Sequence, residues 1–488
     1  MHMGGATADA VFFLFVTKFH PEPSHLLKNE RRVMLVRNMD VAVIGGGIAG
    51  LVAANDLARA GKSVVVFEKS SQLGGRAITI RKKGALFNLG GHALYRGGAA
   101  DRIFRELGLR LEGGSPPRMV SVLWKNKVMP LPRFLFGRDM SWKGRMELLR
   151  VLAKLDRINA DTGEMNAMSV REWVERELRD PTVRSVFYAL FRTGAFTHSP
   201  DLVTVGPALR QVRRAFRKRG VLYVQGGWQS IVDQLREQAV RAGAVVAGST
   251  AVEAIGHEDG EVRRLHLSGG ETVEVGFVVA AVPPAETCRL VRDAERTSLK
   301  IWKDQAKPIT VACLDLCLRR LPVPSHNLVL GIDQPVFFTN QTKPTPSLTE
   351  DGSLVIHLIK YNDASGAGAS DPKRDEAFLE QTMDRIQPGW RNEIVVRQFL
   401  PNMTVVGDFV HTGRIDKTPG PVVPEIRGLY VAGDWASHSE ALVDAAAASG
   451  RRAAQRVLRD LRDIARAGSS QADARYAGAM AGKRMNAL

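Results

Sequence analysis

Three glycines followed by an acid give the sequence a pattern that could bind a phosphorylated ligand. Gly45, Gly47 and Gly50 follow the apolar run Val41–Ile44, and Glu68 ends the next apolar run. Glycines at this spacing permit a tight turn, close approach of the backbone to a pyrophosphate and close packing of the helix that follows. The pyrophosphate would lie at the amino end of that helix, and Glu68 could accept hydrogen bonds from both hydroxyls of a ribose. The spacing predicts a dinucleotide-binding strand, turn and helix.

The acid and the residues after it discriminate among dinucleotides. A carboxylate at position 68 favours an unphosphorylated ribose, so FAD or NAD fits better than NADP. The triplet Gly74–Arg76 follows, and its guanidinium could reach the same pyrophosphate, which a simple NAD dehydrogenase does not need. The pair Gly90–Gly91 would let the backbone approach a flat ring system. These features favour FAD.

A second set of candidate residues lies near the end of the sequence. The apolar run 428–432 is followed by Gly433 and Asp434, and a helix of small residues is predicted over 442–458. Asp434 could hold the ribityl hydroxyls of a flavin. The amino end of the helix would place positive dipole near a reduced, anionic flavin.

Together these motifs resemble the superfamily of FAD-dependent amine oxidases, protoporphyrinogen oxidases and phytoene desaturases. The resemblance implies that Val252 offers its backbone to adenine and that Val443 lies near the pyrimidine edge of the flavin. Asn88 replaces an aspartate common at that site, and non-covalent FAD is expected because no cysteine lies near the cofactor motifs. The motifs are Gly45–Gly50, Glu68, Gly74–Arg76, Gly90–Gly91, Gly226–Gly227, Val252, Val278–Pro283, Gly428–Asp434 and Ser449–Gly450.

The resemblance defines the expected FAD contacts and the expected fold. The fold class is α/β, with a Rossmann-like, glutathione-reductase-like FAD lobe built from three segments. A second α+β lobe, on a mostly antiparallel sheet, would bind the substrate. The expected FAD contacts are Gly45, Gly47, Ile48, Ala49, Gly50, Glu68, Lys69, Gly74, Gly75, Arg76, Gly90, Gly91, His92, Val252, Gly433, Asp434, Leu442 and Val443.

The domain organisation follows from where the FAD motifs fall. They occur in three separated stretches, so the intervening pieces must form the second lobe. The expected segments are 1–38 as a disordered extension, 39–110, 222–300 and 400–465 as the FAD-binding lobe, 111–221 and 301–399 as the substrate lobe, and 466–488 as a flexible tail.

The charge and the cysteine content of the sequence limit the kinds of partner that are expected. The net charge is +17, but no recognition motif accompanies it, so nucleic acid is not expected. In the predicted helix 210–219, arginines at 210, 213, 214 and 217 share one face, which predicts either a solvated surface or peripheral contact with an anionic membrane. Cys288, Cys313 and Cys317 lack metal-ligand spacing and predict buried thiols, no metal site and a cytoplasmic protein.

The residues near the flavin separate the subfamilies, because the flavin itself carries the chemistry. By alignment, Thr310 replaces a lysine and Leu442 an aromatic residue of amine oxidases, so no aromatic cage for a cation is evident. The motif Gln387–Trp390 looks like the phytoene-desaturase-like branch. The sequence predicts an FAD-dependent oxidoreductase of desaturase or dehydrogenase type. It would remove hydride from a C–H bond of an apolar, isoprenoid-like substrate and pass electrons to oxygen or quinone.

Two alternatives remain open at this stage. One is a flavin amine oxidase or protoporphyrinogen-oxidase-like enzyme that produces hydrogen peroxide. The other is a non-redox flavin-bound isomerase or scaffold. Candidate catalytic residues are His92 and His438, each of which could instead be a hydrogen-bonded structural histidine, and Trp435, which could wall the pocket.

Overall fold

The structure, a computed structural model, describes residues 39–117, 119–366, 370–416 and 418–485, with side chains as far as residue 467. The predicted extension 1–38 lies outside these residues. The strands, in chain order, are β1 Val41–Ile44, β2 Val64–Phe67, β3 Thr79–Lys82, β4 Ala85–Asn88, β5 Leu94–Tyr95, β6 Gly113–Gly114, β7 Ser121–Trp124, β8 Lys127–Pro130, β9 Val221–Val224, β10 Val245–Ala247, β11 Val252–Glu258, β12 Glu261–Leu267, β13 Thr272–Glu274, β14 Val278–Ala280, β15 Ile309–Leu318, β16 Leu328–Gly331, β17 Val336–Asn340, β18 Leu354–Tyr361, β19 Ile394–Val406 and β20 Leu429–Val431.

Several helices begin at a side chain that caps the free N–H groups of the first turn. Ser141 accepts from the N–H of Gly144, and Asp180 accepts from those of Thr182 and Val183. The helices are α1 Ile48–Arg59, α2 Ala99–Glu106, α3 Leu131–Phe136, α4 Trp142–Lys154, α5 Gly163–Ala167, α6 Val170–Glu177, α7 Pro181–Ala195, α8 Val205–Phe216, α9 Gln229–Arg241, α10 Pro284–Leu290, α11 Ser298–Gln305, α12 Pro372–Ile386 and α13 Leu442–Met485.

A five-stranded parallel sheet positions the predicted dinucleotide site. Its order is β10-β2-β1-β14-β20, so its strands come from three separated stretches of the chain. Strands β1 and β2 are apolar and buried throughout, as expected for a parallel sheet with helices on both faces. Helix α1 returns from β1 to β2 and packs against α13. The carboxyl ends of β1, β2 and β20 consequently lie along one edge.

A seven-stranded sheet forms the second unit, in the order β19-β15-β18-β17-β16-β7-β8. All its pairings are antiparallel except the one between β16 and β7. Successive side chains of β15 lie on opposite faces of the sheet. Cys313 lies in one apolar cluster with Ile359, whereas Leu314 lies in another with Leu379 of α12. The Cys313 face is the one that meets the loop of Gly90 and Gly91.

The last helix differs from its predicted extent. Helix α13 begins at Leu442 as predicted but continues to Met485 rather than ending near position 458. The backbone of the segment 466–485 is therefore helical, and its flexibility stays a prediction. Among the residues that the structure describes, no helix combines the length and hydrophobicity needed to span a bilayer.

Candidate functional site

The glycine turn after β1 holds the carboxylate of Glu68. Its Oε2 accepts from the N–H of Gly46 at 2.7 Å, and its Oε1 accepts from the N–H of Ser70 at 2.9 Å. Gly45 has a φ of +103°, and a Cβ on Gly50 would overlap the carbonyl oxygen of Gly45. The turn therefore requires glycine at both positions. Each oxygen of Glu68 retains a lone pair for a further donor.

Two glycine loops face each other at the amino end of α1. Gly47 bridges Gly74, and the N–H of Gly74 donates to the carbonyl of Gly46 at 2.9 Å. No side chain caps α1, whose N-cap is Gly47. A Cβ built on Gly47 or on Gly75 would meet its nearest atom only at 3.9 Å, so both glycines border open space. Uncapped amides beside such a gap fit a pyrophosphate.

The start of β11 lies beside Glu68. The backbone N–H of Glu68 donates to Ala247 at the end of β10, and the N–H of Thr250 donates to the carbonyl of Glu68 at 2.9 Å. Val252 follows two residues later and is buried, whereas Lys69 is exposed. The structure thus brings the predicted ribose and adenine contacts together.

Two predicted FAD contacts form an ion pair. Nη1 of Arg76 lies 2.7 Å from Oδ2 of Asp434, and the N–H of Gly407 donates to the same oxygen at 3.2 Å. Ser449 of α13 fixes the residue before Asp434: its hydroxyl donates to the carbonyl of Gly433 at 2.7 Å and accepts from the N–H of Gly433 at 2.9 Å. The Arg76 side chain remains 43% exposed, so it can also meet a ligand.

Gly90 and Gly91 pack directly on the seven-stranded sheet. A Cβ on Gly90 would lie 2.7 Å from Cε of Met403, and one on Gly91 would lie 2.9 Å from Cδ1 of Ile359. His92 follows, with Nδ1 3.2 Å from the carbonyl oxygen of Gly90 and Nε2 3.1 Å from that of Arg76. Burial lowers the pKa of His92, which favours a neutral ring.

The other catalytic candidates lie in different surroundings. Trp435 is buried in the core of the parallel-sheet unit, where its Nε1–H donates to the carbonyl of Val282 at 2.9 Å and its ring packs on Trp302. Burial lowers the pKa of His438. Leu442 has a φ of +56°, unusual for a leucine, and both Leu442 and Val443 are half-buried at the start of α13.

Asn88 has a structural role in the chain as folded. Its Oδ1 accepts from the N–H of Trp228 at 2.9 Å and from the hydroxyl of Thr79 at 2.8 Å. Its Nδ2 donates to Gln341 at 3.2 Å. Asn88 therefore joins the Gly226–Gly227 turn to the rest of the site, using both ends of an amide where an aspartate could only accept.

A buried polar cluster lies beneath Gly90, and sequence reasoning missed it. His357 Nδ1 lies 2.6 Å from Asp315 Oδ1, and the thiol of Cys313 donates to the same oxygen at 2.9 Å. The N–H of Gly90 donates to the other oxygen at 3.3 Å. All three side chains are fully buried. The signals in the sequence were an aspartate inside the apolar run of β15 and a histidine inside that of β18.

This cluster brings one cysteine close to the loop that is predicted to meet the flavin. Although none lies near the cofactor motifs in sequence, Sγ of Cys313 is 3.6 Å from a Cβ built on Gly90. Burial, together with the charge of Asp315, raises the pKa of the Cys313 thiol well above its usual value. Cys313 is therefore close to the predicted flavin but disfavoured as a nucleophile. Thr310, the predicted replacement for a lysine, instead accepts from Nδ2 of Asn362 at 3.2 Å.

The arginines of α8 do not form a free basic face. Arg210 pairs with Asp161 at 2.6 Å, Nε of Arg213 donates to the carbonyl of Leu155 at 2.8 Å, and Arg214 pairs with Asp444 at 2.6 Å. These arginines join α8 to neighbouring elements. The fully solvated face that the sequence suggests is not found for these three side chains, which are partly buried and paired. Contact of the protein with a membrane stays a prediction.

A family model decides the class of the protein. The model described as flavin containing amine oxidoreductase matches residues 48–458. The chain belongs to this family. Membership confirms the predicted superfamily, the FAD cofactor and the class of oxidoreductase.

Relatives in the flavin containing amine oxidoreductase family differ in the reactions that their names state. A Mycobacterium tuberculosis protein named as a flavin-containing monoamine oxidase is 28% identical over 273 residues, which cover 51% of this chain and 57% of the relative. The chain thus matches little more than half of that relative. A 4,4'-diapolycopen-4-al dehydrogenase of Metabacillus indicus is 23% identical over 415 residues, covering 73% of this chain and 82% of the relative.

The fold of this family member is shared with solved structures. An oxidoreductase from Methanosarcina mazei superposes with a TM-score of 0.69 at 21% identity, covering 85% of this chain and 99% of that one. The likeness shows a common mixed α/β fold.

Proposed function

We propose that the protein removes a hydride from a C–H bond of an apolar substrate, as an FAD-dependent dehydrogenase or desaturase. The observation that carries this proposal is an apolar wall beside Gly90–Gly91. A wall of this composition would receive a hydrocarbon and exclude water. Its buried members are Val311, Cys313, Ile359 and Tyr361, and its partly buried members are Phe196, Phe337, Leu400, Met403 and Val405.

In this proposal the parallel-sheet unit binds FAD in the three-segment, glutathione-reductase-like manner. Glu68 would accept from the adenosine ribose, and the uncapped amides of α1, with Arg76, would hold the pyrophosphate. Asp434 would hold the ribityl chain. Gly90 and Gly91, next to the apolar wall, would hold the isoalloxazine.

Bound FAD supplies the hydride acceptor, and the protein supplies orientation and a dry surface. Loss of a hydride from one carbon to FAD, and of a proton from its neighbour to solvent water, would leave a double bond in the substrate. The two electrons would pass on to oxygen or a quinone. The apolar wall would hold the reacting carbon against the flavin.

Two features of the wall disfavour an amine. The carboxylate of Asp315 is fully buried and already accepts from Cys313, His357 and Gly90, so both of its oxygens have donors within the protein and neither is exposed to an ammonium group. The rings of Phe196 and Tyr361 meet at 85° and do not present two facing surfaces. An ammonium group is bound most strongly between aromatic faces or beside a carboxylate.

Anaerobic reduction of the bound FAD tests the proposal. The purified holoenzyme is mixed in turn with a detergent-dispersed acyclic isoprenoid hydrocarbon, a panel of primary amines and a porphyrinogen. We expect only the isoprenoid to bleach the visible flavin band, with a product lighter by two hydrogen atoms. Bleaching by an amine, with peroxide formed on admitting air, would instead establish the second candidate, which the monoamine oxidase relative favours. Flavin that stays oxidised with every compound would contradict both.

A further inference from the structure

Helix α4 carries an exposed row of large apolar side chains. Trp142 is 70% exposed, Met146 50% and Leu149 60%. Phe136, at the end of α3, is 73% exposed. Arg145 of α4 donates to the carbonyl of Gly137, the residue after Phe136, which holds the end of α3 beside α4. Large apolar side chains normally occur singly on protein surfaces, so a row of three with a fourth beside it is unusual.

The row is a second apolar face of α4, distinct from the face that packs in the core. A helix advances about 100° per residue, so Trp142, Met146 and Leu149 fall within about 60° of one another. Leu148 and Val151 point to the opposite side and are buried among the helices of the second unit. Nothing within the described ranges covers the exposed row.

Basic side chains border this row. The only acid of α4, Glu147, is turned inward, where it accepts from the N–H groups of Arg179 and Asp180 at 2.9 and 2.8 Å. Arg150 lies 4.0 Å from Glu147 and is 60% exposed. The exposed cations beside the row are Arg133, Arg138, Lys143, Arg150 and Lys154.

The end of α8 extends the same surface. Nε of Arg213 donates to the carbonyl of Leu155, which fixes the last turn of α8 beside the last turn of α4. Phe216 follows and is 57% exposed, and residues 217–219 after it are Arg, Lys and Arg, all exposed.

We propose that this surface, the α4 patch of Phe136, Trp142, Met146 and Leu149 with its five bordering cations, rests on an anionic lipid bilayer. Aromatic and aliphatic side chains would enter the boundary between headgroups and acyl chains, and the cations would meet lipid phosphates. A second copy of the chain is a poorer occupant, because self-association through this patch would bring cations against cations. The proposal rests on this surface alone and does not depend on the proposed reaction.

Binding to vesicles of defined composition tests the patch. The holoenzyme is sedimented with phosphatidylcholine vesicles that contain about one phosphatidylglycerol in four lipids, and with pure phosphatidylcholine vesicles. We expect binding to the anionic vesicles at about 50 mM salt and a loss of at least about fivefold in affinity at about 500 mM salt. The double variant Trp142→Ser with Leu149→Ser should bind at least about tenfold more weakly.

A matched control separates the patch from general surface hydrophobicity. Val240 of α9 and Ile301 of α11 are 48% and 49% exposed and lie on the other unit. The double variant Val240→Ser with Ile301→Ser should bind vesicles as the parent protein does. Both double variants should keep the FAD content and unfolding midpoint of the parent, which shows that they are folded.

Tryptophan fluorescence adds a second measurement. Six of the seven tryptophans are buried, and Trp142 is exposed, so acrylamide quenching reports mainly on Trp142. Anionic vesicles should protect Trp142 from acrylamide. The proposal fails if the parent does not bind anionic vesicles, if the patch variant binds as well as the parent, or if Trp142 stays fully quenchable when bound. A dimer that the patch variant converts to monomers, without vesicle binding, would assign the surface to self-association instead.

Discussion

His357 is paired with Asp315 inside the protein, with Nδ1 2.6 Å from Oδ1 and neither side chain reaching solvent. The two residues are direct partners across β18 and β15. The same carboxylate accepts from the thiol of Cys313 and from the N–H of Gly90. One buried acid therefore fixes a histidine, a thiol and the loop that is predicted to meet the flavin. Such an acid is tolerated only where donors compensate for lost hydration.

Replacing this acid should destabilise the protein and loosen the loop. In Asp315→Asn the amide keeps the volume but cannot accept from three donors, so we expect a loss of about 1–3 kcal/mol in the free energy of unfolding. Urea unfolding measures this change. Asp333→Asn, at an exposed position, serves as the control. An unchanged midpoint for Asp315→Asn would contradict a stabilising role for the three hydrogen bonds that Asp315 accepts.

Stability should fall in mild acid because of His92. Burial lowers its pKa below the usual value near 6.5, so below that pH the unfolded chain binds a proton that the folded chain does not. The contribution is fully present above about pH 6.5 and is lost as the pH falls. His438 and His198, whose pKa values burial also lowers, act in the same direction.

The variant His92→Gln measures how much of the loss of stability in acid is due to His92. Glutamine can still hydrogen-bond a backbone carbonyl but does not titrate, so unfolding midpoints measured between about pH 7 and 5 should fall less steeply than in the parent. His266→Gln, at an exposed position, serves as the control variant. Parallel pH profiles for the parent and His92→Gln would refute the assignment.

The Arg76–Asp434 pair allows a cofactor role to be separated from a structural one. Arg76 is 43% exposed but its partner Asp434 is only 5% exposed, so removing the guanidinium should cost the apoprotein about 1–3 kcal/mol in the free energy of unfolding. If its guanidinium also holds the pyrophosphate, Arg76→Ala should weaken FAD binding by about 1.5–3 kcal/mol, or more than tenfold. Reconstitution of the apoprotein with FAD measures this.

A matched arginine tests whether that effect is specific. Arg81 also makes an exposed ion pair, with Glu350, and is not a predicted FAD contact. Arg81→Ala should bind FAD normally. Equal FAD affinity in the parent and in Arg76→Ala would show that Arg76 has a structural role and does not contact FAD.

The sequence predicts features whose cause is local. The strand, turn and helix after Val41 follow from apolar runs and glycine spacing, and Glu68 lies beside that turn as predicted. The glycine pattern predicts a helix that begins after Gly50, but helix α1 begins at Ile48. Gly50 therefore lies inside the helix, and its missing Cβ lets the first turn approach Gly45.

Features that depend on distant pairing were not predictable from the sequence. Asp315 and His357 are 42 positions apart, and only the register of two strands makes them neighbours. Arg76 meets Asp434 because the parallel sheet joins the two ends of the chain. The charges of α8 suggested a surface, but their acceptors come from loops and helices whose positions no local pattern specifies.

Gly47→Ala and Gly50→Ala, both in the glycine turn, should impair different properties of the protein, FAD binding in the first and folding in the second. A Cβ at position 47 meets nothing within 3.9 Å, and the backbone there has ordinary angles, so Gly47→Ala should leave the stability of the apoprotein unchanged. The same methyl group would occupy the gap between the glycine loops and should block FAD. A Cβ at position 50 overlaps Gly45, so Gly50→Ala should impair folding itself. Gly163→Ala, in open space, is the control for both. Apoprotein unfolding and FAD titration distinguish the two effects, and a Gly47→Ala protein that binds FAD like the parent would place the pyrophosphate elsewhere.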